Sequence, residues 1–118
     1  MIFKADKLEK AIVERPRGGT GQIRSSIAFP MGKAPAGSAF QTVACQELLP
    51  GSSVGFHVHA DNEELFVIIS GQGSFTDFDG SRHPVGPGDI LLTLRGQGHA
   101  LANTGSEPLA FLAAIAGN

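Results

Sequence analysis

Tryptophan and tyrosine are absent from the 118 residues, and Cys45 is the one cysteine. Without tyrosine there is no phenolic general acid, and without a second cysteine there is neither an internal disulfide nor a cysteine-rich zinc cluster. Charge is scarce as well: 17% of residues are charged and the net charge is −2. No basic field is available to attract nucleic acid, and 42% apolar residues set the chain apart from disordered ones. Long apolar runs are missing too. Leu109 to Ala116, the most apolar tract, has eight residues, against the roughly 20 that a helix needs to cross a bilayer, and it reads as a buried strand. Lys4, Asp6 and Lys7 stand where an export signal needs an apolar stretch. The expectation is a cytoplasmic protein with no membrane or nucleic-acid partner, whose partners must be sought at a site.

What is present is punctuation. Sixteen glycines and seven prolines are spread along the chain, the pattern of many short strands joined by tight turns. The length suits one domain, 1–118, with its own core. From Phe40 onward β-favouring runs alternate with turn residues: Phe40 to Leu49, Val54 to His59, Glu64 to Ser70, Ser74 to Phe78, Asp89 to Leu94 and Leu109 to Ile115. Turns fall at Pro50-Gly51, Gly71-Gln72-Gly73, Asp79-Gly80 and Gly86-Pro87-Gly88-Asp89. This is an all-β pattern, a sandwich or barrel. Leu65 to Ile69 and the last strand are apolar at consecutive positions, which predicts cover on both faces by a second sheet or a partner subunit. Near the amino terminus, Asp6 to Val13 fits a short helix capped by Asp6 or a strand, ended by Pro16 and the loop Gly18-Gly19-Thr20-Gly21.

The chemistry concentrates between Gly51 and His99. Residues two apart on a strand point the same way, so His57 and His59 project together, and after a turn at Ala60-Asp61-Asn62 the next strand returns Glu64 to the same interior. Two imidazoles and a carboxylate suit iron, manganese, nickel or zinc. His99, after the turn Gly96-Gln97-Gly98, supplies a fourth donor from a distant part of the chain. Neutral imidazole ligands hand their second ring nitrogen to a carbonyl or carboxylate, so outer partners are expected, though the sequence does not name them.

The arrangement resembles the two motifs of the cupin superfamily. Gly51, His57, His59, Glu64 and Gly71 fit the first motif throughout, here 51–71. Glu63 fits the shorter spacing from His59, but only Glu64 leaves six residues before Gly71, so Glu64 is the ligand carried over and Glu63 the reserve. Gly88, Gly96, His99 and Asn103 match the second, 88–103, with Leu94 where the family usually has proline. The resemblance implies a double-stranded β-helix, or jelly-roll barrel, with the ion in its mouth. It is similar above all to small stand-alone microbial cupins, several of them manganese proteins and homodimers, so manganese leads the metal expectation and a homodimer is expected. It further implies a small-molecule metalloenzyme of decarboxylase, dioxygenase or isomerase type acting on a small carboxylate or polar compound, with a metal- or metabolite-binding module as the alternative. Decarboxylation needs a proton donor, and Glu63, if turned inward, is the neighbouring carboxyl.

Other expectations are less pointed. Phe66 and Ile68 share strand parity with Glu64 and should wall the cavity. Cys45 reads as a small buried hydrophobe, His83 beside Pro84 as a turn residue, and Arg24, Gln72, Arg95 and Gln97 as solvated groups within reach of an anion at the mouth. The stretch Ser74 to Gly80 is one residue longer than the usual cupin hairpin, which predicts a bulge near Asp77.

Overall fold

The structure, a computed structural model, describes residues 1–117. Ten strands succeed one another: β1 Glu9–Glu14, β2 Gln22–Phe29, β3 Phe40–Leu48, β4 Ser53–Val58, β5 Glu63–Ser70, β6 Gly73–Thr76, β7 Arg82–Val85, β8 Ile90–Thr93, β9 Gly98–Asn103 and β10 Leu109–Ala116. Two short 3₁₀ turns, Ala5–Lys7 and Pro16–Gly18, are the only helical elements among the described residues. The strands form two antiparallel sheets, one of six in the order β1-β2-β3-β10-β5-β8 and one of four in the order β4-β9-β6-β7. This is the jelly-roll arrangement of a double-stranded β-helix.

The core lies between the sheets and obeys strand parity. Ile23, Leu48, Phe66, Ile68, Leu109, Phe111 and Ala113 of the larger sheet meet Val54, Phe75, Val85 and Leu101, and all are buried. Asn103, the last residue of the second motif, ties this core together. Its amide donates to the carbonyls of Leu48 (2.9 Å) and Glu107 (2.8 Å), and its oxygen accepts from Gly105 N–H (2.8 Å).

Several expectations are corrected. Of the two readings of Asp6 to Val13 the helix fails and the strand holds: Asp6 caps nothing, Ala5–Lys7 forms one 3₁₀ turn, and Glu9–Glu14 is a strand because pairing with β2 supplies the hydrogen bonds that a six-residue helix could not sustain alone. The extra residue expected to bulge near Asp77 is absorbed by the loop between β6 and β7, closed by Asp77 N–H on Ser81 O, and the ladder itself runs in register. His83 lies on β7, exposed, with Nε2 2.9 Å from the Ser81 hydroxyl. Cys45 is exposed on the outer face of β3, not buried. No helix of the described residues is long and apolar enough to cross a membrane.

Candidate metal centre

The centre forms where the two sheets meet. His57 and His59 come from β4 and its end, His99 from β9 directly opposite His57, and Glu64 from β5, flanked in register by Thr93 of β8 and Ile115 of β10. A bulge aims the histidines. Val54 pairs with Leu101 and His57 with His99, so β4 spends one residue more than β9 over this interval. The extra residue reverses the parity of the rest of the strand: Val54 is 8% exposed, whereas Phe56 and Val58 are 52% and 59% exposed, and the two histidines take the inner face. Gly98 makes room for the Phe56 ring, which a Cβ there would strike.

The four donor atoms lie within 4.8 Å of one another. His59 Nε2 is 3.1 Å and His99 Nε2 3.0 Å from Glu64 Oε1, and the two nitrogens are 3.2 Å apart. With metal–donor bonds of about 2.1 Å, neighbouring ligands on a six-coordinate ion are about 3.0 Å apart and on a tetrahedral one about 3.4 Å. The three imidazole centroids, 4.8 to 5.0 Å from each other, surround one point. Phe66 stacks on His99 at 5.0 Å and Phe75 meets its edge at 5.8 Å, which fixes the ring.

The far side of each ring is also held. His57 Nδ1 donates to the Gly55 carbonyl (2.8 Å) and His59 Nδ1 to Asn62 Oδ1 (2.8 Å), while Asn62 is itself oriented by donating to Gln41 Oε1 (3.1 Å). A carbonyl oxygen can only accept, so both rings carry a proton on Nδ1 and, when neutral, present a bare Nε2 inward. His99 Nδ1 is 2.6 Å from the buried Thr93 hydroxyl. With neutral rings, lone pairs of imidazoles and a carboxylate oxygen converge, an arrangement that a divalent metal ion relieves and that, without metal, a proton on Nε2 donated to Glu64 relieves instead.

The charges agree. Burial pushes the Glu64 carboxyl up, but hydrogen bonds from His59 and His99, with the charge those rings carry when protonated, outweigh it and hold the group at about 2. The hydrogen bond to Glu64 raises His59 against the effect of burial. Burial lowers His57 despite its Gly55 bond, and the positive charges of His99 and Arg17 add to the effect.

A cavity of about 250 Å³ adjoins His57 and Glu64. Phe66 forms part of its wall, as its parity predicts, and Ile68 lies in the core instead. Glu63 is exposed and points to the opposite face from Glu64, because adjacent strand residues alternate sides; the structure does not bring it to the cluster. Nor do Arg24, Gln72, Arg95 or Gln97 line this cavity, and Gln97 instead accepts from Leu94 N–H to close its own turn (3.0 Å). The groups that sequence reasoning missed are Asn62, Thr93 and Arg17. Asn62 carried a signal, lying three residues after a histidine within the turn. Thr93 and Arg17 come from elsewhere in the chain and carried none.

The chain is similar to known proteins. A family model described as Cupin domain matches residues 44–115. An oxalate-binding protein of Thermotoga maritima is 33% identical over 115 residues, which cover 98% of this chain and 93% of that protein. A gentisate 1,2-dioxygenase of Ralstonia sp. is 30% identical over 95% of this chain, which spans 30% of that enzyme. The crystal structure of a predicted oxalate decarboxylase of Thermotoga maritima superposes with a TM-score of 0.90 at 31% identity, each chain covered completely. On sequence, architecture and the cluster of three histidines and a glutamate alike, the chain belongs to the cupin family.

Proposed function

We propose that the protein is a metal-dependent cupin that binds a small carboxylate at an ion held by His57, His59, Glu64 and His99, and that it acts on that ligand as an enzyme. The observation that carries this reading is the convergence of the His59 and His99 Nε2 atoms and the Glu64 oxygen at mutual distances of 3.0 to 3.2 Å, with a His57 ring nitrogen within 4.8 Å of them, beside a cavity. That spacing favours a six-coordinate ion, and manganese is the first choice, ahead of iron, nickel and zinc. Four protein donors then leave two positions for ligand oxygens. A bound divalent ion supplies Lewis acidity and, if redox-active, a route to oxygen chemistry. The chain supplies the rest: fixed Nε2 lone pairs, an ionised carboxylate, and a wall of Phe66, Phe111 and Ile115 that keeps water off one side of the ligand. The cavity lies below the roughly 300 to 1,000 Å³ of drug-sized sites, so the ligand has few carbons, and the names oxalate-binding protein and gentisate 1,2-dioxygenase among the relatives agree with a carboxylate.

Since Glu63 points outward, oxidative carbon–carbon cleavage suits the site better than a decarboxylation that draws its proton from that residue. The same fact favours one alternative, a module that binds metal and carboxylate without turning it over. Metal analysis of protein from its own source, then oxygen uptake with oxalate, other small carboxylates and catechols, separates the two. Consumption of a carboxylate supports the enzyme, binding without consumption supports the module, and absence of metal refutes both.

A homodimer is part of the same reading. Leu65 faces Leu92 and Val67 faces Ile90 in register on the outer side of β5 and β8, next to exposed Ile69, an uncharged apolar strip suited to a second copy of the chain. Leu92→Glu should convert a dimer to a monomer in light scattering. The exposed, unpaired Cys45 agrees with a reducing cytoplasm.

A further inference from the structure

Resting on that reading, we infer that Arg17 is the specificity residue of the cavity, and that the preferred ligand is a small dicarboxylate with one carboxylate group on the guanidinium. Arg17 lines the same cavity as His57 and Glu64, although it lies far from both in sequence. Its place there is built. The turn Pro16–Gly18 lies flush on β4, the strand that carries His57, and two glycines allow the approach: a Cβ at Gly55 would collide with the Arg17 carbonyl oxygen, and one at Gly19 with the Ser53 backbone. Thr20 and Ser53 then exchange backbone hydrogen bonds in both directions (3.2 and 2.9 Å), and the Ser52 hydroxyl accepts from Gln22 N–H (2.9 Å).

Holding this turn requires unfavourable backbone. Arg15 and Arg17 sit at φ +48° and +53°, and they are the only non-glycine residues with positive φ among those described. A side chain in that region costs roughly 1–2 kcal/mol, and glycine would occupy it freely. Strain of this kind persists where a side chain is needed in a particular place. Here it brings a planar, permanently charged group that pairs with carboxylates through two hydrogen bonds.

Charge balance selects the class of ligand. A divalent ion, the Glu64 carboxylate and the Arg17 guanidinium together leave two positive charges, which a dianion neutralises and a monocarboxylate does not. Ser25, Thr42 and Gln46 line the cavity as well, with the Ser25 hydroxyl donating to Gln46 Oε1 (3.3 Å). They add polarity without charge, so the guanidinium decides.

The test compares manganese-loaded wild type with Arg17→Gln, Arg17→Lys and Arg17→Gly, measuring metal content, thermal midpoint, and calorimetric affinity for oxalate, malonate and acetate. Arg17→Gln should keep its manganese, lose at least tenfold in affinity for both dicarboxylates, and bind acetate within twofold of wild type. Arg17→Lys should recover part of the loss. Arg17→Gly should show the same loss with a midpoint no lower than wild type, because its backbone is relieved. Dicarboxylate affinity within twofold of wild type in Arg17→Gln overturns the assignment while leaving the metal–carboxylate reading intact. A manganese-loaded wild type that binds none of the three ligands overturns both.

Discussion

Replacing Thr93 with valine removes one hydroxyl and leaves the shape of the side chain almost unchanged. That hydroxyl is 2.6 Å from His99 Nδ1, and both residues are 1% exposed, so no water takes its place. An unpaired buried donor costs about 1–3 kcal/mol. At about 2.1 cal/mol/K per residue over 118 residues, a loss of about 2 kcal/mol lowers the thermal midpoint by roughly 8 °C. The metal should feel it too, since a hydroxyl that accepts from His99 Nδ1–H leaves Nε2 free and makes it a better ligand. Loss of such a partner weakens metal binding by about 10- to 100-fold, equivalent to about 1.4–2.7 kcal/mol. The Phe66 stack at 5.0 Å still holds the ring, so the site should still fill at saturating metal. Competition of Thr93→Val with a chromophoric chelator at pH 7.5, together with a melt of the metal-free form, measures both quantities. An affinity that is unchanged or tighter would show that Thr93 does not present Nε2, and the reasoning would fail.

The same geometry sets other outcomes. His57→Ala should cut metal content sharply while circular dichroism still reports a folded barrel, because His57 is only half-buried and lies outside the apolar core; an unfolded variant would mean that the ion is structural. Metal affinity should fall as pH drops through about 6.5, where imidazole takes up protons, with His59 competing first because Glu64 raises it and His57 last because burial lowers it; a flat titration from pH 7.5 to 5 would exclude histidine ligation. In the metal-free protein, the stability that Glu64 adds relative to Glu64→Gln should be greatest between pH 4.5 and 6.5. It should shrink as pH falls below 4.5 toward the folded carboxyl at about 2, and also as pH rises through the raised His59. Asn103→Ala, which leaves the Leu48 and Glu107 carbonyls unpaired, should cost about 3 kcal/mol in denaturant unfolding with metal affinity unchanged.

The strands that were legible are those whose own residues carry the pattern. Glu64 to Ser70 and Leu109 to Ile115 read correctly because runs of Leu, Val, Ile and Phe favour extended chain wherever they occur. Strands β2, β7 and β9 did not, and β1 was legible only as one of two alternatives, helix or strand. Arg82 to Val85 contains arginine, histidine and proline, and only pairing with β6 makes it a strand. The expected cover of both faces of β5 and β10 is only half met within one chain, where the outer face of β5 ends at exposed Ile69.

The sequence by itself determined the candidate donor set: His57 and His59 two apart, Glu64 after a turn of fixed length, and a third histidine a set distance beyond a glycine. Spacing of this kind is local and survives in one dimension. What the tertiary structure decided is which way those groups face and what surrounds them. An alternation of Val54, Phe56 and Val58 would equally have turned the apolar residues inward, and one bulge, placed by pairing with β9, turned in the histidines instead. Thr93 and Arg17 reach the centre through strand pairing and through a turn pressed onto β4. Contacts of that range are fixed by hydrogen bonding and close packing between distant segments, and no pattern of neighbouring residues encodes them.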